Sequence, residues 1–186
     1  MRITGGRMKG RRLATLKGMD IRPTADKVRE AMFDLLGQDM TEARVLDLFA
    51  GTGILGIEAL SRGACKALFV DRSLRSVRLV RKNLRVCGFE AFSVVVKGDV
   101  SRVLKSRAIL KEDRFDLVFV DPPYGKGLLP PVLELLQSAE ILASPSIVVA
   151  ESSKGDELPG KIGRLETAGR KYYGETKLTL YHYEDD

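Results

Sequence analysis

The stretch from Asp47 to Leu60 leaves the chain little freedom of fold, because a buried strand, a glycine turn and a helix follow one another without a spacer. Val45 to Phe49 supply the apolar strand. In Ala50-Gly51-Thr52-Gly53-Ile54-Leu55-Gly56 the first two glycines permit a tight turn and let backbone approach a ligand with no Cβ in the way. Gly56 lets the new helix pack closely on the sheet. Such a turn binds a nucleotide-like ligand. Glycines kept only for packing are the bland alternative, and the later motifs weigh against it.

The pattern Gly51-x-Gly53-x-x-Gly56, followed after a second strand by Asp71, also satisfies the dinucleotide fingerprint. Asp47 helps to separate the options. A pyrophosphate sits at a helix N-terminus because exposed N–H groups and the dipole favour negative charge, and a carboxylate aimed there opposes it. S-adenosylmethionine has no phosphate; its sulfonium and ammonium suit carboxylates.

With 186 residues the chain can bury one substantial core, and nothing in it resembles a flexible linker. The expected division is a basic arm or small β-hairpin over residues 1–20, packed loosely on a main domain over 21–186. No apolar run reaches membrane-spanning length, and Met1 to Gly6 lacks the apolar stretch of a signal peptide, so a soluble, cytoplasmic protein with no membrane partner is expected; a monomer is a separate expectation. Cys65 and Cys87 have no paired spacing and read as reduced thiols in packed settings. The single histidine, His182, falls in a terminal strand, which argues against a histidine metal site and a Ser-His-Asp triad. No metal is expected.

The net charge of +6 is unevenly placed. Arg2, Arg7, Lys9, Arg11, Arg12, Lys17, Arg22, Lys27 and Arg29 face only Asp20, Asp26 and Glu30, so the N-terminal segment holds the whole surplus over a near-neutral body. Arg2, Arg7, Lys9, Arg11 and Arg12 are the candidate phosphate contacts, with a merely solvated charge run as the alternative.

Helical spacing of Val28, Ala31, Met32, Leu35 and Leu36, with Thr24 as N-cap, predicts a first helix. Strands are then expected at 45–49, 67–70, 92–96, 115–120 and 147–150, alternating with helices at 73–86, 100–110 and 128–142. That alternation calls for a parallel sheet with helices on both faces. Beyond Pro159 two long strands, 164–173 and 176–183, close the sheet as a hairpin.

Asp47, Asp71, Asp99, Asp121 and Glu151 fall at carboxyl ends of these strands, the edge where open α/β sheets bind ligands. Asp71 suits ribose hydroxyls and Asp99 an adenine amine, whereas Glu151 reads better as a helix cap or a loop residue in contact with solvent. The sharpest signal is Asp121-Pro122-Pro123-Tyr124: two prolines after a buried strand fix the backbone, so that Asp121 and the Pro122 carbonyl can accept from an exocyclic amine while Tyr124 offers a face for a base.

These residues resemble class I S-adenosylmethionine-dependent methyltransferases, and the Asp-Pro-Pro-Tyr form resembles the branch that methylates exocyclic nitrogens of bases. Ile21 to Phe33, the Asp47-to-Gly53 turn and the basic arm are together similar to the bacterial RsmD-type 16S rRNA guanine-N2 methyltransferases. The resemblance implies a Rossmann-like, seven-stranded, mostly parallel sheet with one antiparallel strand. It also implies S-adenosyl-L-methionine as cofactor, and 16S rRNA, free or within the small ribosomal subunit, as partner. The candidate cofactor contacts are Asp47, Ala50, Gly51, Thr52, Gly53, Asp71, Asp99 and Val100, and the candidate catalytic residues Asp121, Pro122 and Tyr124. Rival readings are a DNA adenine or protein glutamine methyltransferase, an NAD(P)-linked oxidoreductase and a non-enzymatic RNA-binding module.

Overall fold

The apolar runs on either side of the glycine turn become the centre of a single sheet. In the computed structural model, which describes residues 1–15, 23–106 and 114–185, the helices are α1 (Pro23–Leu36), α2 (Ile54–Ser61), α3 (Leu74–Cys87), α4 (Val100–Ser106) and α5 (Leu129–Ser138). The strands are β1 (Arg44–Leu48), β2 (Lys66–Asp71), β3 (Ser93–Lys97), β4 (Phe115–Val120), β5 (Leu142–Ser153), β6 (Lys161–Ile162), β7 (Leu165–Tyr173) and β8 (Thr176–Tyr183). The expected cap at Thr24, the cations Lys17 and Arg22, and the 107–110 end of the fourth helix lie outside the described residues and side chains.

Sheet order is β3-β2-β1-β4-β5-β8-β7-β6. The first five strands are mutually parallel, and β8 inserts antiparallel beside β5 with β7 and β6 alternating outward. The expected α/β architecture is present, with eight strands rather than seven. The extra one, β6, is two residues pairing with the start of β7, too short to leave an alternation pattern in the sequence. The expected boundary at residue 142 is also corrected: α5 stops at Ser138, Glu140 reverses the chain at a φ of 53°, and β5 has begun by Leu142.

Alternate residues of β4 divide the core. Val118 and Val120 join a cluster under α4 and α5, while Leu117 and Phe119 face α1, α2 and α3. Burial on both sides explains why this strand has almost no polar residue. On the second face α2 lies so near the sheet that a Cβ on Gly56 would stand 2.4 Å from the Phe69 ring. The sequence requires glycine there for contact, not for turning.

Residues 1–15 are not the loosely packed hairpin the sequence suggests. One antiparallel bridge joins Arg2 to Arg12, a 3-10 turn covers Gly6–Met8, and Ile3 and Leu13 are buried in the same cluster as α1 and α2. The two thiols differ as well: Cys87 is buried as expected, but Cys65, just before β2, is exposed. No helix among the described residues is long and apolar enough to cross a membrane.

Candidate active site

Parallel pairing of β2, β1, β4 and β5 puts their carboxyl ends along one edge, and four acids gather there. Asp47 is 2% exposed, near the end of β1, and its Oδ2 accepts from the Gly56 N–H at 3.0 Å inside the first turn of α2. Burial pushes its carboxyl up to about 7, with the Gly56 bond opposing and the Asp71 charge adding. The intervening turn runs through left-handed backbone at Gly53, φ 78°, and also at Phe49, φ 62°, a conformation that strains a residue with a side chain. Such strain persists where the surroundings over-determine it, as at a ligand edge.

Asp71 stitches this turn to the next helix. Its Oδ2 accepts from the Gly51 N–H at 2.9 Å and its Oδ1 from the Ser73 N–H at 2.7 Å, and each oxygen retains a lone pair for a ribose hydroxyl. Ala50 and Thr52 hold the turn through backbone: the Ala50 N–H donates to the Val70 carbonyl, and the Thr52 carbonyl accepts from Asn83 Nδ2 at 2.9 Å. Asp99 stands further out, after edge strand β3, where its Oδ1 caps α4 by accepting from the Arg102 N–H at 3.1 Å. The Val100 side chain is buried in the apolar cluster under α4, which leaves only its backbone to meet a ligand.

The diproline loop follows β4. Among the described residues Asp121 has no hydrogen-bond partner, and its carboxyl is held well above the usual carboxylate range by burial and then by the charges of Glu151 and Asp47. Glu151 is neither a helix cap nor a solvent contact in a loop, which corrects the sequence expectation. It lies within β5, paired to Leu178 of β8, and its Oε1 accepts from the Tyr124 hydroxyl at 2.6 Å. Burial raises its carboxyl and that bond lowers it, with a net rise. Thr176 Oγ1 lies 3.4 Å from the same hydroxyl. With its oxygen tied down, Tyr124 as a residue remains 47% exposed. A cleft of about 190 Å³ opens beside it, lined among others by Pro122, Leu128, Glu151, Ser152 and Leu158.

The arm meets the body on the other side of α2, at a second buried acid. Glu58 Oε1 accepts from the Thr4 N–H at 2.6 Å, the Thr4 hydroxyl at 2.9 Å and Arg29 Nε at 3.0 Å; its Oε2 accepts from the Gly5 N–H and pairs with Arg62. Arg29 also donates to the Arg2 carbonyl at 2.6 Å. Arg2, Arg7, Lys9, Arg11 and Arg12 are exposed, and the Arg7 guanidinium lies over the Phe89 ring at 4.6 Å.

The structure thus brings Asp47, Asp71, Asp121, Tyr124 and Glu151 to one crevice and places Asp99 at its margin. A family model described as "Conserved hypothetical protein 95" matches residues 1–182, arm and crevice alike. The chain belongs to this family. "Ribosomal RNA small subunit methyltransferase D" of Escherichia coli K12 is 34% identical over 99% of this chain and 90% of that protein. The family's fold recurs in a hypothetical protein from Thermus thermophilus, with a TM-score of 0.80, 30% identity and coverage of 100% and 99% of the two chains. A chain solved in complex with S-adenosylhomocysteine shares the fold at a TM-score of 0.68 and 17% identity, over 87% of this chain and 50% of that one.

Besides Glu151, sequence reasoning missed Glu58, Asn83 and Thr176. Glu58 left a signal: it is the lone acid in the otherwise apolar helix Ile54–Ser61.

Proposed function

We propose that this chain transfers a methyl group from S-adenosyl-L-methionine to the exocyclic N2 of one guanine in 16S rRNA. The observation behind this reading is the crevice of Asp47, Asp71, Asp121 and Glu151, crowded carboxylates with no cation paired to them among the described residues, set beside the exposed ring of Tyr124. Carboxylates forced together in a buried place favour a ligand that brings positive charge. When bound, S-adenosylmethionine supplies that charge and an electrophilic methyl group. The side-chain-free turn at Gly51 and Gly53 fits an adenosine ligand, and the Asp47 carboxylate on the Gly56 N–H takes the place a dinucleotide pyrophosphate needs. An oxidoreductase reading leaves that carboxylate and the diproline loop without a role. A plain RNA-binding module leaves the whole crevice without one.

Asp71 accepts from the ribose and Asp99 from the adenine amine. Asp121 and the Pro122 carbonyl accept the N2 hydrogens of the target, so that the nitrogen lone pair, otherwise delocalised into the ring, is turned toward the methyl group. A cationic ligand nearby restores the charged form of Asp121, and with it the acceptor. Tyr124 stacks on the base, its ring fixed by the bond to Glu151. A guanine paired in a helix cannot reach this ring, so the target is unpaired or flipped out.

Transfer of tritiated methyl to small-subunit rRNA, with the product nucleoside identified by mass, tests the reading. Wild-type protein is expected to yield N2-methylguanosine. Asp121→Asn should lower turnover by roughly 100-fold or more while still binding cofactor. Methylated adenine, or an Asp121→Asn rate equal to wild type, would overturn the assignment.

A further inference from the structure

Helix α3 carries Arg75, Arg78, Arg81, Lys82 and Arg85, all exposed, and Arg72 precedes it, also exposed. Residues 72–89 contain no acid, and neither do residues 1–15. The spacing places these cations along one outer face as neighbours at i, i+3 and i+4, where like charges repel and destabilise a helix. Two exposed cations at the β6 end of the sheet do find acids: Lys161 pairs with Glu166 and Arg164 with Asp185. On this ridge only Arg85 does, to Glu90 at 3.2 Å, while Arg81 reaches the Val95 carbonyl at 3.4 Å. Among the described residues Arg72, Arg75, Arg78 and Lys82 have no partner.

The ridge is continuous with the arm and with the crevice. Val86, near its C-terminal end, borders the same concavity of about 620 Å³ as Arg7, Lys9, Arg11 and Arg12. Asn83 ties the two segments together, accepting from the Ala14 N–H at 2.9 Å and donating to the Ala14 carbonyl at 3.1 Å. The other end begins three residues after Asp71, at the ligand edge. Fourteen residues of helix run about 21 Å between these points.

We infer that the outer face of α3 is a docking surface for the phosphate backbone of duplex RNA flanking the target nucleotide, laid alongside the arm so that an unpaired base can pass over the rim to Tyr124. This rests on the RNA-methylating reading above. Duplex is favoured over single strand because α3 has no aromatic residue on which an unpaired base could stack, whereas a straight row of cations suits the regular phosphates of a helix.

The test is a combined Arg75→Gln, Arg78→Gln, Lys82→Gln variant, whose substitutions keep helix propensity and break no contact with another described residue. Its affinity is measured at several salt concentrations for an RNA stem-loop with an unpaired guanine, and for the loop strand alone. For the stem-loop, affinity near 0.1 M salt should fall about tenfold or more, and the log-log salt slope should become shallower by about 2–3. For the loop strand, and for S-adenosylhomocysteine, binding should match wild type. Coincident stem-loop titrations of variant and wild type would overturn the ridge, as would an equal loss on the loop strand. So would poly-glutamate binding wild type as tightly as the stem-loop, which would point to an acidic protein instead. Should wild type neither bind the stem-loop nor methylate rRNA, the proposed function falls and the ridge with it; methylation by wild type with unaltered variant binding removes the ridge alone.

Discussion

Glu58 and the crevice acids are the same kind of group in opposite circumstances. Both are carboxylates taken out of water, but Glu58 is met by two arginines, two backbone N–H groups and a hydroxyl, whereas Asp121 faces the charges of Glu151 and Asp47 and Glu151 has only the Tyr124 hydroxyl. A buried charge that the chain compensates itself serves the fold, and one left uncompensated awaits a partner from outside. Burial alone would not have told them apart; the neighbours do.

The contrast is broken most severely by Glu58→Ala, which leaves Arg29 and Arg62 buried without their acid. Thermal or denaturant unfolding should show a loss of about 3–5 kcal/mol, and amide exchange in residues 3–5 should quicken. An unchanged midpoint would mean that the cluster does not hold the arm. Somewhat smaller and of opposite sign is the effect of neutralising a crevice acid. Asp47 moves from an ordinary 3.8 to about 7 on folding, so the folded chain binds more protons between those values. Without cofactor, stability is therefore lost as pH rises through that window, and the whole penalty stands above it. Asp47→Asn should flatten the profile and raise stability at pH 8 by roughly 2–4 kcal/mol, since its amide oxygen can still accept from Gly56. A variant profile that still falls over that window would show that Asp47 is not the group. Smallest is Asp71→Ala, expected to weaken cofactor binding by about 1.5–3 kcal/mol in calorimetry and to leave RNA binding as it was. Equal cofactor affinity in the folded variant would take Asp71 out of the site.

Much of this was legible from residues whose demands are local. Gly53 and Gly56 announce a backbone conformation and a close contact, the two strand-like runs either side of Gly174-Glu175 announce a hairpin, and the two prolines after Asp121 announce a fixed loop. What stayed hidden depends on distant partners. Glu151 looks like a strand-end acid until the pairing of Val120 with Ala150 sets β4 beside β5 and brings Tyr124 to it. The arm looks loose until Glu58, more than fifty residues away in sequence, closes around Thr4. The basic ridge on α3 was concealed by arithmetic: a body with balanced charge overall can still gather cations on one helix that has no acid among them. Only the fold reveals such sorting.

The clasp of Glu58 on Thr4 also orders events during synthesis. Thr4 leaves the ribosome 54 residues ahead of the glutamate that receives it, an interval of roughly 3–11 s at ordinary elongation rates. Asn83, which fastens Ala14, comes 69 residues after it. Throughout that interval the basic arm is without the side chains that fasten it in the folded chain, so its cations stay uncovered until α2 and α3 have been made.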